Sequence, residues 1–279
     1  YNSTTSQNFT VNLTDNFGIQ NATLNIYNST GHLVNQTSES FIGNVLKYTL
    51  GIVVVLADGT YNWFYNIFDV VGNNYLTGNN TLVIDTINPM INISYPLSNA
   101  NSSDSGLNVN YSVADLNVDE CWYSNDSMSV NVSLNSCENI TSVVWSDGQH
   151  NVTVWMNDSA GNVNSSNVNF TIDTLGPSVN IVYPLNTSYG TPLTKLNYTY
   201  SDIHGDSSYC WYSVDSGVTN STQVLPGINF TGLSSSEGSN TWIVYCNDSA
   251  GNVNSSSVIF VSSTPGINVD WIYPTWDIN

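Results

Sequence analysis

Hydrophobic side chains recur at every second position in much of this chain, and no apolar spacing of 3.6 residues is sustained anywhere in it. Trp63, Tyr65 and Ile67 are spaced in this way, as are Val152, Val154 and Met156, and again Trp242, Val244 and Cys246. Each set predicts a half-buried strand with the named side chains on its core face. The strands end at Asp69-Val70-Val71-Gly72-Asn73, Asp158-Ser159-Ala160-Gly161-Asn162 and Asp248-Ser249-Ala250-Gly251-Asn252. Glycine supplies a positive φ there, and Asp and Asn cap the turn. A second strand follows, as over 166–172 and 257–261, so a hairpin closes each copy. From Gly59, Gly148 and Gly238 to the following Asp is ten residues, and the copies repeat with periods of 89 and 90.

Short joints bearing proline separate the copies: Ile84-Asp85-Thr86-Ile87-Asn88-Pro89, then Ile172-Asp173-Thr174-Leu175-Gly176-Pro177, with Ser263-Thr264-Pro265 a weaker third. Joints of this kind orient neighbours, and predict a rod. An opening strand follows each one: Ile91-Asn92-Ile93-Ser94-Tyr95-Pro96, Val179-Asn180-Ile181-Val182-Tyr183-Pro184, and finally Ile267-Asn268-Val269-Asp270-Trp271-Ile272-Tyr273-Pro274. Many short strands punctuated by turns predict an all-β chain of tandem sandwiches. Modules of about 90–100 residues make three of them. The boundaries fall at 1–88, 89–176 and 177–265, with 266–279 left as a donor strand or the start of a further repeat.

The copies differ at their ends. Asp115 lies 26 residues after Pro89 and Asp202 lies 25 after Pro177, but the equivalent Asp15 has only 14 residues before it. The first module is expected to lack its opening strand, and the 14 residues after Pro265 contain a segment of the missing kind.

Composition narrows the setting. Lys47 and Lys195 are the only basic side chains against 21 acidic ones, a formal net charge of −19. Such a surface repels phosphate backbones and anionic headgroups, which argues against nucleic acid and anionic membrane as partners. The longest apolar run, residues 50–57, is too short to span a bilayer, and with no signal peptide or initiator Met the sequence reads as a mature or excised piece. Solubility rests on 43 Asn, 39 Ser and 26 Thr. Chance alone would place a hydroxyl residue two positions after about 10 of the 43 Asn, yet 23 N-x-S/T sequons occur. Asn8, Asn21, Asn28, Asn92, Asn110, Asn125, Asn139, Asn151, Asn169, Asn186, Asn197, Asn220 and Asn229 are candidate carriers of N-linked glycans. The plainer account of any one sequon is that Asn, Ser and Thr favour turns and exposed strand faces.

The four cysteines, Cys121, Cys137, Cys210 and Cys246, fall two to a repeat with none in the first. Of the three pairings that four cysteines allow, Cys121 with Cys137 and Cys210 with Cys246 is the simplest, and it places the chain in an oxidising compartment. Zinc is the rival, but no C-x-x-C or neighbouring His supplies its usual ligand spacing.

The chain resembles immunoglobulin-like repeats of long bacterial and archaeal surface proteins. The motifs that carry the resemblance are N-D-S-A-G-N, which occurs twice, C-W-Y-S at Cys121–Ser124 and Cys210–Ser213, D-N-x-G-I-x-N-A-T from Asp15, and I-D-T-x-x-P. They look particularly like those of archaeal cell-surface proteins. The resemblance implies immunoglobulin-like sandwiches, an extracellular or cell-surface location, and adhesion, envelope or appendage architecture; it identifies a module rather than an activity. Cys137 departs from the pattern of the third repeat, so the two disulfides should differ in geometry.

The leading expectation is a structural subunit of a glycosylated, pilus-like filament. Identical subunits would join head to tail, the tail of one, carrying Val269, Trp271, Ile272, Tyr273 and Trp276, completing the first module of the next. The alternative is a segment of a long cell-surface adhesin array that binds glycans or other cells, with Trp122, Trp145 and Trp211 as sugar-stacking candidates set against a place in the core or under a disulfide. No cofactor is required. Calcium suits Asp85 and Asp173 at the joints with Asp69, Asp158 and Asp248 in the hairpin turns; the plainer account is that each carboxylate caps its own turn. His32, His150 and His204 occur once per repeat in surroundings that predict surface positions, no catalytic motif is present, and no catalytic residue is named.

Overall fold

The computed structural model describes residues 1–126, 128–203 and 208–264. These are all-β, with a single 3-10 turn at Asn135–Cys137. The first repeat contains β1 (Ser6–Thr14), β2 (Ile19–Asn28), β3 (Leu33–Ser40), β4 (Lys47–Val55), β5 (Gly59–Asp69), β6 (Asn74–Leu76) and β7 (Asn80–Ile84). The second contains β8 (Met90–Tyr95), β9 (Ala100–Ser102), β10 (Asn110–Ala114), β11 (Val118–Asn125), β12 (Val132–Leu134), β13 (Gly148–Asp158) and β14 (Val163–Ile172). The third contains β15 (Ser178–Tyr183), β16 (Ser188–Tyr189), β17 (Lys195–Ser201), β18 (Tyr209–Ser213), β19 (Phe230–Thr231), β20 (Gly238–Asn247) and β21 (Val253–Ser262). The expected boundaries after 88 and 176 fall in the joints between β7 and β8 and between β14 and β15.

Two sheets form in each repeat. In the first they are β1-β4 and β3-β2-β5-β6, with β7 also on β5; in the second, β10-β8 and β12-β11-β13-β14-β9; in the third, β15-β17-β19 and β16-β21-β20-β18. Contact density divides the chain into two compact units, residues 1–96 with 108–140 and 151–168, and residues 97–107 with 141–150 and 169 onward, a division that runs through the second repeat rather than through the joints.

Alternation explains the cores. Along β4 the side chains of Leu50, Ile52 and Val54 are buried while Val53 and Val55 are 64% and 74% exposed, so the longest apolar run is a two-faced strand. These residues join Phe9 and Leu13 of β1, Ala22, Leu24 and Ile26 of β2, Tyr61 and Tyr65 of β5, and Ile84 in one buried cluster between the two sheets. In the third repeat Trp242, Val244, Cys246 and Phe260 form the equivalent layer with Leu196, Tyr198 and Phe230. Trp242 meets Phe260 edge to face at 5.0 Å. His150 corrects the surface expectation. It is buried because it lies in phase with Val152, Val154 and Met156 on the core face of β13, and its ring packs against both Trp145 and Phe170, which also meet each other. His32 is exposed, and His204 lies outside the described residues.

Tyr65 ties the first sandwich together, its hydroxyl donating to the Phe9 carbonyl across the core at 2.8 Å. Burial pushes this phenol up to about 12, because the folded state favours the neutral form. A folded pKa above the unfolded value means that this stabilisation is complete below about pH 10 and is lost as the pH rises toward 12. Tyr65→Phe is expected to lower stability by about 1 kcal/mol at pH 7 in urea denaturation. It should also shrink, without abolishing, the fall in stability on alkaline titration, since burial and the charge of Glu138 raise Tyr111 to about 12 as well.

Opening strands complete the second and third repeats. β15 pairs with β17, and Val179, Ile181 and Tyr183 pack on the core cluster. The Ile181 N–H donates to Ser256 Oγ at 3.2 Å, as that of Ile93 does to Ser166 Oγ at 3.4 Å. A short parallel segment then follows each strand: β9 on β14 and β16 on β21. The first repeat retains that short segment, in which Asn2 bridges Ile84 in parallel, and Asp85 N donates to Asn2 O as Asp173 N does to Ser102 O and Ser263 N to Tyr189 O. Among the described residues, β1 pairs with β4 alone.

Candidate functional site

The edge of β1 turned away from β4, unpaired among the described residues, borders a groove. Val11, Leu13, Ile19, Ile67, Tyr75 and Thr77 line a cleft of about 360 Å³ that also takes in Asp15, Asp69 and Asn73. Thr77 lies eight residues after Asp69, just as Ser166 lies eight after Asp158 and Ser256 eight after Asp248. The cleft therefore occupies the position that the opening strand fills in the other two repeats. The apolar part of its lining follows from the period of two: Val11 and Leu13 point inward, Leu13 into the buried cluster and Val11 half-buried against it. The proposed donor segment, with Val269, Trp271, Ile272, Tyr273 and Trp276, lies outside the described residues.

At the mouth of the cleft is the first of three matching turns. Asp69 Oδ1 accepts from Val71 N at 3.0 Å and Asn73 N at 2.7 Å, while Asn73 Nδ2 donates to Asp69 Oδ2 at 2.7 Å. Gly72, Gly161 and Gly251 hold φ of +92°, +88° and +91° in these turns, so another residue there would be strained. Burial pushes the Asp69 carboxyl up, but the hydrogen bonds from the Asn73 side chain and from the backbone of Asn73, Val71 and Gly72 outweigh it and hold the group below its ordinary value. In the later copies the turn asparagine makes a second bond, to the joint before its own module: Asn162 Nδ2 reaches Asp85 O at 2.8 Å, and Asn252 Nδ2 reaches Asp173 O at 2.7 Å. Among the described residues no joint carbonyl stands opposite Asn73.

The expected calcium ligands are brought together in part. Asp85, Asp115 and Asp158 each offer an oxygen within 4.8 Å of the others, and so do Asp173, Asp202 and Asp248. Asp158, Asp173 and Asp248 are buried. The turn-capping account also holds, since Asp158 Oδ1 accepts from Ala160 N and Asn162 N at 2.8 and 2.9 Å. The expected set did not include Asp115 and Asp202, although both follow a strand at the same place in every copy. Asp69 has a counterpart of these residues in Asp15, but no third carboxylate stands with the pair among the described residues.

Both expected disulfides are present. Cys210 and Cys246 lie directly opposite each other on β18 and β20, with Cα atoms 4.1 Å apart. Cys121 faces Met156 in that register and pairs instead with Cys137 of the 3-10 turn, with Cα atoms 5.1 Å apart. The aromatic candidates divide. Trp145 is buried and donates its indole N–H to Leu107 O at 2.8 Å. Trp122 stacks on Trp155 and Trp211 on Tyr245, each pair half-buried on the sheet face turned away from the core. None of the 13 candidate glycan-bearing asparagines is buried; Asn8, Asn92, Asn139, Asn186, Asn220 and Asn229 are exposed and the rest intermediate. No helix among the described residues is long and apolar enough to cross a membrane.

Residues 100–174 match the family model of a bacterial Ig-like domain. No curated protein matches the sequence. Among solved structures, the chain is similar to fibronectin(III)-like modules of CbhA from Clostridium thermocellum, at 15% identity over 66% of this chain and 100% of that one with a TM-score of 0.40. It is similar to a tetra-tandem repeat from the extending region of a large adhesion protein, at 18% identity over 91% and 70% with a TM-score of 0.32. It is also similar to a solved chain from a study of host cell surface retention of a 1.5-MDa bacterial ice-binding adhesin, at 13% identity over 92% of this chain and 91% of that solved chain with a TM-score of 0.34. The second repeat is thus similar in sequence to a bacterial Ig-like domain, within a chain whose described length is all-β and built of paired sheets.

Proposed function

We propose that the chain is a structural subunit of an extracellular, glycosylated filament in which identical subunits join head to tail, the segment 266–279 of one completing the first module of the next. The observation that supports this most is the open cleft beside β1, in the place where β15 sits on β17 in the third repeat. A strand edge left unpaired beside a cleft of mixed apolar and polar lining is a template for another strand. The segment after Pro265 repeats the opening-strand pattern, ending in Tyr273-Pro274 as the others end in Tyr95-Pro96 and Tyr183-Pro184. Such contacts do not close on themselves, so they propagate. The test is mass and shape together. Denatured native material should give a single chain near 30.4 kDa plus glycan, while negative-stain images of the same undenatured sample show long fibres. A covalent chain of several hundred kilodaltons would instead favour the adhesin array, with the stacked pairs Trp122–Trp155 and Trp211–Tyr245 as its sugar-facing surfaces.

The two carboxylate triads are proposed as calcium sites. Three carboxylates gathered within 4.8 Å repel one another unless a cation sits among them, and hard oxygen donors suit Ca²⁺. Adding excess chelator is expected to lower Tm by several degrees, with calcium, but not sodium, restoring it. An unchanged melting curve would remove this part of the proposal.

A further inference from the structure

We infer that the head cleft selects its strand by size: Trp271 of the tail takes the inward position opposite Val11, where the completed modules set a smaller residue opposite a tyrosine. This rests on the strand-donation reading and goes beyond it by fixing the register and the selecting pair. In the second repeat Ile93 lies opposite Tyr111, and in the third Ile181 lies opposite Tyr198. Tyr111 and Tyr198 stand four residues before Asp115 and Asp202, and the residue four before Asp15 is Val11. Tyr198 is buried and stacks on Phe230 with ring centroids 5.6 Å apart, so the large partner in that pair lies on the acceptor strand. In the first repeat the acceptor strand offers a valine, and the cleft of about 360 Å³ lies against it.

Aligned on its Tyr-Pro pair, the tail reads Val269-Asp270-Trp271-Ile272-Tyr273-Pro274 against Val179-Asn180-Ile181-Val182-Tyr183-Pro184. Val179, Ile181 and Tyr183 are the inward residues of β15, so Val269, Trp271 and Tyr273 are their counterparts. The register of β15 on β17 carries over as Val269 opposite Leu13, Asp270 opposite Asn12 and Trp271 opposite Val11. Two completed modules thus use a small residue on the opening strand and a large one on its partner, whereas the head and tail use a large one and a small one. Packed interiors accept volume-conserving exchanges and resist both overfilling and voids. An isoleucine-bearing strand would leave the head cleft underfilled, and Trp271 facing a tyrosine would overfill it. A register two residues further along, aligned on Ile267-Asn268, would set Val269 opposite Val11 and leave the cleft unfilled.

The experiment uses whole chains and measures the concentration at which they pellet as fibres. V11Y and W271I alone should each raise that concentration by about tenfold or more, the first by blocking the cleft and the second by emptying it. V11Y/W271I in one chain should return to within about threefold of the parent. If V11Y loses a cooperative melting transition, V11L, W271F and V11L/W271F give the same comparison with smaller changes, the double again assembling better than V11L alone. Strand donation itself fails if chains cut before residue 266 still form fibres. If those chains do not, yet the double substitution assembles no better than V11Y, or V11L/W271F no better than V11L, the size-matched register is overturned and strand donation stands.

Discussion

If the tail joins one subunit to the next as proposed, removing residues 266–279 is expected to abolish fibres outright, leaving single subunits at concentrations where the whole chain pellets as fibres. The expectation follows from where the unpaired backbone lies. β1 forms nine cross-strand pairs with β4 and none on its other edge among the described residues, and inward-facing Val11 and Leu13 border the cleft beside it. A free edge of this kind is a template for another chain. On the proposed assembly the tail is the strand that satisfies it, and cutting it away also leaves Asn73 without a joint carbonyl of the kind that Asn162 and Asn252 contact. Sedimentation and negative-stain imaging of the truncated chain supply the readout, and long ordered polymers persisting after the cut would sink the proposal. A synthetic peptide covering 266–279 should bind the truncated chain and raise the melting temperature of its first module, by mass action on the folded state.

Replacing Cys210 and Cys246 together with alanine should cost about 4 kcal/mol of stability, against about 3 kcal/mol for Cys121 and Cys137, from loops of 36 and 16 residues. The two bridges differ in more than loop length. Cys210 and Cys246 are wholly buried in the cluster that holds Trp242 and Phe260, so their loss also disturbs the packing between the sheets. Cys137 lies half-exposed in a surface turn, and its loss frees mainly that turn. For a module of this size the first change corresponds to a fall of about 15 °C or more in Tm. Calorimetry of the two double variants checks both the size and the order, and equal falls would contradict the argument.

Much of this was legible because a period of two fixes which face each side chain takes. Once Cys246 was in phase with Trp242 and Val244, its partner had to face the core, and Cys210 does. The same rule places Trp122 and Trp211 on the outer face, since each follows an inward cysteine; only the stacking onto Trp155 and Tyr245 required coordinates. It also places His150 inside, where turn-like neighbours misled. Asp115 and Asp202 escaped notice as ligands because a lone aspartate after a strand reads as a turn cap, and only folding brings it to carboxylates 30 and 43 residues away in Asp85 and Asp158, or 29 and 46 away in Asp173 and Asp248. The short stretch before Asp15 points to this place in the fold, but the shape of the cleft depends on how β1 and β5 face each other, which no pattern along the chain encodes.

The joint that would link one subunit to the next differs from those inside it. Where Asp85 and Asp173 stand, the third joint carries Ser263, so Asp15 and Asp69 would meet a hydroxyl instead of a third carboxylate. On the proposed assembly, a fibre washed free of divalent ions would soften at two hinges within every link and hold at every coupling. Its contour length would survive while its persistence length fell, and ionic calcium in the surroundings would set how far the thread bends without ever setting whether it breaks.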